Sequence, residues 1–90
     1  MGLNFEEYIA IQKECEQLSR DKNHDYGNES LKTFGNYGIL IRMSDKFDRL
    51  KSFYKNKKLK VSDEKLEDTL KDIINYSTYM IMQERNKIDE

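Results

Sequence analysis

Leu40, Met43, Phe47, Leu50 and Tyr54 recur at steps of three, four, three and four, a spacing only a long helix can use. At roughly 100° per residue the five side chains fall on one narrow stripe, the two-in-seven seam by which helices pack. The chain has no proline, and its four glycines all precede residue 39. That composition favours helix over sheet. The spacing predicts a helix over 37–55.

Two further helices carry the same signal. Tyr8, Ile11, Cys15 and Leu18 step three, four, three, with Phe5 and Ile9 widening the face. Asn4 can cap this segment by accepting from a first-turn amide, with Glu7 reaching back. A helix over 5–20 is expected. Leu66, Leu70, Ile73, Ile74, Met80 and Ile81 form a broader apolar face, wide enough for two neighbours. Ser62 is the expected cap, Asp63 and Glu64 place negative charge in the first turn, and the helix should run over 63–85 before fraying in "NKIDE". "ESLKTFGNYG" reads as a short helical turn stopping at Gly35, and the lysine-rich "KNKKLK" as a solvated turn. The expected fold is all-α: a three-helix antiparallel bundle with a short extra helical turn.

Ninety residues make one domain spanning 1–90. Apolar and charged residues each make up 37%, so the core of a lone chain is marginal and a homo-oligomer is expected. The net charge of −1 argues against binding a nucleic-acid polymer or a membrane surface. No apolar run approaches the ~18 residues of a membrane span, and the N-terminus lacks a basic start followed by an apolar stretch. The single cysteine, Cys15, sits on the apolar stripe as a core residue and has no internal disulfide partner. A cytoplasmic protein is expected.

"RDKNHDYGNES", residues 20–30, is the chemically equipped connector. It holds the only histidine, His24, followed by Asp25, Tyr26 and Gly27. Read blandly, it is a turn in which Gly27 takes the positive φ. Bundle loops usually span only about 2–8 residues, so the extra length reads as a functional lid over a pocket between the second and third long helices.

Helical geometry sets Arg42, Lys46 and Arg49 together beside the seam, with Asp45 one step further round and Asp48 pointing away. On the last helix Thr69, Asp72 and Tyr76 border the apolar face, with Asp68 one turn before Asp72 and Tyr79 beyond. Either these charges form a rim of salt bridges between the helices, or they line a cleft. Lys22, His24, Asp25, Tyr26, Arg42, Asp45, Lys46, Arg49, Asp72 and Tyr76 are the candidate ligand-binding residues. The cations suit phosphates and the tyrosines suit a base. No Cys/His spacing for zinc and no glycine-rich phosphate loop is present.

"KNHDYGNES", "FGNYGILIRMSDKFDRL" and "SDEKLEDTLKDIINYSTYMIM" occur in this order, and together they resemble the phage and bacterial family called nucleotide modification associated domain 1. The resemblance spans residues 20–82 and implies a theme of nucleotides and phages. More distantly, two acidic helices in an all-α chain resemble the MazG-like nucleoside triphosphate pyrophosphatases, which hold magnesium on paired acidic helices. That likeness implies Asp45, Asp48, Asp68 and Asp72 as counterparts, with Asp68 and Asp72 the metal ligands for Mg2+. Here aspartates replace longer glutamates and the second spacing is four rather than three. The expectation is therefore a small phage-type protein that sequesters a nucleotide-derived molecule without turnover or cofactor, as small phage proteins do with cyclic nucleotide or ADP-ribose-type immune signals. The alternative is magnesium-dependent hydrolysis.

Overall fold

Asn4 opens the first helix as its sequence suggests, its side-chain oxygen accepting from the Glu7 amide at 3.1 Å. The computed structural model describes residues 2–27, 29–56 and 63–88. Four helices follow one another: α1 (Phe5–Tyr26), α2 (Glu29–Thr33), α3 (Gly35–Asn56) and α4 (Asp63–Glu84). No strand occurs among the described residues, so the chain is all-α. The expected Ser62 cap and most of the lysine-rich turn, residues 57–60, lie outside the described residues.

The first correction concerns α1, which runs six residues past its expected end and absorbs most of the supposed lid. Residues 20–26 are polar, but polarity marks a solvent-exposed helix as readily as a loop. No glycine or proline occurs between Asn4 and Gly27. Glu16 pairs with Arg20 at 2.8 Å and Gln17 with Asp21 at 2.9 Å, both at i,i+4 spacing that supports a helix. Gly27, at φ 71°, ends α1 by donating to the Asn23 carbonyl at 2.8 Å.

Gly35 takes φ 56°, as expected where α2 gives way to α3. The end of α4 is the second correction. Instead of fraying, it closes with Lys87 N–H on the Met82 carbonyl and Asn86 N–H on the Gln83 carbonyl, with Asn86 left-handed at φ 54°. That is the Schellman pattern, in which asparagine can stand in for glycine.

Three sets of contacts relate the helices. At the start of α3, Asn36 donates to the Met80 carbonyl at 3.2 Å and to Glu84 at 2.9 Å near the end of α4, while Lys46 meets Asp72 further along. Hence α3 and α4 run antiparallel. Glu14 meets Lys71, Cys15 meets Asn75, Ser19 meets Tyr79 and Lys22 meets Asp72, so the second half of α1 packs against the middle of α4. Gln83 donates to the Leu31 carbonyl at 2.7 Å, tying α2 to the end of α4.

The buried apolar side chains among the described residues are Cys15 and Ile39. Cys15 lies in the core as its stripe predicts. Burial pushes its thiol above the ordinary 9.0 despite the opposing charge of Lys71. Native protein should therefore react slowly with a thiol reagent at neutral pH, and fully once denatured. Fast labelling of folded protein would contradict this placement. Ile39 is not on the predicted seam at all. Of the seam, Met43 and Leu50 are half-buried whereas Leu40, Phe47 and Tyr54 stay exposed.

Candidate functional site

Asp72 is the centre of the polar architecture. Its side chain is only 13% exposed, and each oxygen meets a lysine: Oδ1 accepts from Lys22 of α1 at 3.0 Å, Oδ2 from Lys46 of α3 at 2.8 Å. One carboxylate thus ties three helices together. Burial pushes this carboxyl upward, but hydrogen bonds and charge from Lys46 and Lys22 outweigh it and hold it below the ordinary 3.8. Burial likewise works against the Lys22 ammonium. The Asp72 carboxylate overcomes that effect, with smaller help from Tyr76 and Tyr79, and raises Lys22 above 10.5.

Two clefts open on either side of this junction. The larger, about 1080 Å³, lies mainly between α1 and α4, and Lys22, Arg42, Asp72, Tyr76 and Tyr79 are in its wall. The smaller, about 580 Å³, lies between α3 and α4 and is lined by Lys46, Arg49, Asp68 and Asp72 among others. Asp72 belongs to both. The expected pocket between the second and third long helices thus exists as the smaller cleft, but the aromatic side chains expected there open into the larger one.

The predicted rim of salt bridges forms only in part. Lys46 pairs with Asp72, but Arg42 and Arg49 make no ion pair or hydrogen bond among the described residues. Lys22, on a different helix, takes the second oxygen. The two arginines project into different clefts with their charge uncommitted.

The remaining candidates separate from the site. His24 is 89% exposed and faces Asp25 at 3.3 Å on the surface of α1, and neither lines a cleft. Asp45 also lies in neither cleft wall. The Tyr26 side chain is outside the described residues. His24 and Asp25 therefore do not form a lid, because a continuous helix holds their side chains at fixed angles away from the cleft.

Sequence reasoning missed Asn75, the buried polar residue of α4, whose Nδ2 donates to the Cys15 carbonyl at 3.0 Å. It missed Ser19 too, hydrogen-bonded to the Tyr79 hydroxyl. The signal was available: Asp72, Asn75, Tyr76 and Tyr79 share one face of α4 at steps of three, one and three. Tyr76 and Tyr79 meet edge to face, with centroids 6.3 Å apart and planes at 69°. Lys71 bonds Glu14 at 3.1 Å, which holds its ammonium above 10.5 and clamps α1 further along.

The residues present do not fit a magnesium site. Both Asp72 oxygens are engaged by lysines, and the arginine and lysine of the smaller cleft bring positive charge next to Asp68. Among the described residues no three His, Cys, Asp or Glu side chains converge as metal ligands. Octahedral magnesium takes several oxygen donors at close tolerance, and this pair supplies one free carboxylate.

No helix among the described residues is long and apolar enough to cross a membrane. In comparison with known proteins, the family described as nucleotide modification associated domain 1 matches residues 22–83. That span holds Lys22, Arg42, Lys46, Arg49, Asp72, Tyr76 and Tyr79, while α1 up to Asp21 lies outside it. No curated protein and no solved structure matches the chain.

Proposed function

The chain belongs to the nucleotide modification associated domain 1 family, and from that premise we propose that it binds a phosphate-bearing, nucleotide-derived small molecule in the larger cleft without turning it over. The family ties the chain to a nucleotide-related role. The carrying observation is that Arg42, uncommitted among the described residues, shares a cleft of about 1080 Å³ with Lys22, Tyr76 and Tyr79. Ligand clefts typically enclose about 300–1000 Å³, so this one has room for a nucleotide or a dinucleotide.

Each residue type has a part in this reading. Arg42 meets a phosphate through its planar guanidinium, and Lys22 adds a point charge held in place by Asp72. A tyrosine face takes the base. Asp72, whose carboxylate stays ionised, accepts from ribose or base donors. In the walls of the two clefts six cations, Arg20, Lys22, Arg42, Lys46, Arg49 and Lys87, stand against three carboxylates, Glu16, Asp68 and Asp72, so the local charge favours an anion. We place this activity in the cytoplasm, the host's if the gene is a phage's, with sequestration of an immune signal as its use.

Calorimetry and thermal shift with nucleoside phosphates, cyclic nucleotides and ADP-ribose test this. Arg42→Ala should weaken the ligand found by about 10-fold or more, since a hydrogen bond to a charged group contributes about 1.5–3 kcal/mol. Its melting temperature should stay unchanged, because Arg42 is exposed and unpaired. Mass spectrometry after long incubation with magnesium should return the ligand intact. No heat from any of these compounds would remove the proposal, and a cleaved product would revive the hydrolytic alternative despite its ill-fitting donors.

A further inference from the structure

We infer that the smaller cleft is a second binding site, built for a guanine base, free or carried by a nucleoside. Its charge sets it apart from the larger cleft. Lys46 and Arg49 of α3 stand against Asp68 and Asp72 of α4, so its walls are balanced, and the excess of cations lies in the larger cleft. Lys46 and Asp72 are committed to each other at 2.8 Å. Arg49 and Asp68 make no ion pair or hydrogen bond among the described residues. One free guanidinium and one free carboxylate in a cleft of about 580 Å³ suit a neutral guest that both accepts and donates.

The helix register brings these two groups to one place. Arg49 lies three residues past Lys46, roughly 4.5 Å along α3, and Asp68 four residues before Asp72, roughly 6 Å along α4. Because the helices run antiparallel, both displacements point the same way. The guanidinium and the carboxylate therefore arise at nearly the same level on facing walls.

A flat guest held there meets a planar fork of N–H donors on one side and a pair of acceptor oxygens on the other. Guanine answers both. Its O6 and N7 accept from an arginine fork, while N1–H and the 2-amino group lie side by side and donate to the two oxygens of a carboxylate. Adenine carries an amino donor in place of O6, and the pyrimidines have no N7. Phe53 supplies a ring for the base to stack on, and Leu50 and Leu66 complete the apolar walls. Ser52 and Asn56, bonded to each other at 3.2 Å, continue the α3 wall and offer polar partners to a ribose.

Calorimetry with guanosine tests this, because that nucleoside has no phosphate and makes no demand on the cations of the larger cleft. Guanosine should bind, and adenosine at least about tenfold more weakly, since adenine has no pair of adjacent donors for Asp68. Inosine, which lacks only the 2-amino group, should also lose affinity. Asp68→Asn and Arg49→Ala should each weaken guanosine at least about tenfold, with the melting temperature retained because both side chains are exposed. Asp45→Ala, on the same helix but in neither cleft wall, should leave binding unchanged. Absence of guanosine binding up to its solubility limit overturns the guanine site and leaves phosphate binding in the larger cleft untouched. Equal affinity for adenosine overturns it too. So does unchanged affinity in both folded variants, or tighter binding of leucine, a zwitterion that the same two charges would hold.

Discussion

Asp72→Ala should lower stability by about 2–4 kcal/mol, because hydrogen bonds to charged groups are strong and removing one partner strands the others. Asp72 is 13% exposed and Lys46 19%, whereas Lys22 is 49% exposed and carries the smaller share of the loss. Without the carboxylate, two ammonium groups from different helices face each other with no counter-charge. For a domain of this size each kcal/mol moves the melting temperature by about 4–8 °C, so a fall of about 10 °C or more is expected. The pH dependence has a definite sign. The folded carboxyl titrates below its ordinary 3.8, so its contribution is present above that value and fades as pH falls through the folded-state value. Lys22 is held above 10.5, so its share is present below that value and is lost only as the solution becomes more alkaline still. The gap between parent and Asp72→Ala should therefore be flat around neutrality and narrow in acid. Melting curves at neutral and acidic pH check this. A gap that persisted undiminished in strong acid would show that charge is not what holds the junction.

Ile39→Ala should be at least as damaging, at about 2–5 kcal/mol, the range for removing a large aliphatic side chain from a packed site. Ordinary domains have only about 5–15 kcal/mol to lose. Ile39 and Cys15 are the fully buried apolar side chains among the described residues, so little else can compensate. Ile41, two residues on and 50% exposed, is the internal comparison. Its truncation should change stability by no more than about 0.5 kcal/mol. Urea denaturation of both variants decides the matter. Equal losses at the two positions would mean that α3 is rotated differently about its axis.

These two residues show how differently the fold and the site could be read beforehand. The helices were legible because a helix is a local object: periodicity, caps and the glycines at 27 and 35 act within a few residues of themselves. The late end of α1 is not legible from polarity, because the polar residues after Leu18 make i,i+4 pairs that support a helix and no glycine or proline precedes Gly27. The cations were legible as a group, since 100° per residue places Arg42, Lys46 and Arg49 on one flank without any partner being known. Ile39 was not, because its neighbours in sequence formed a cleaner stripe than the one that is buried.

The sequence by itself determined that this chain is helical, where its helices start, which family it joins and which flank of each helix carries charge. All of that follows from side-chain angles about a single axis. Only the tertiary structure decided that Asp72 would be shared by lysines from two other helices, that Tyr76 and Tyr79 would open toward α1, and that His24 and Asp25 would face away. Those outcomes depend on which neighbour occupies a given angle around each helix. That is set by contacts between residues 26 to 60 positions apart in the chain, a range at which periodicity carries no information.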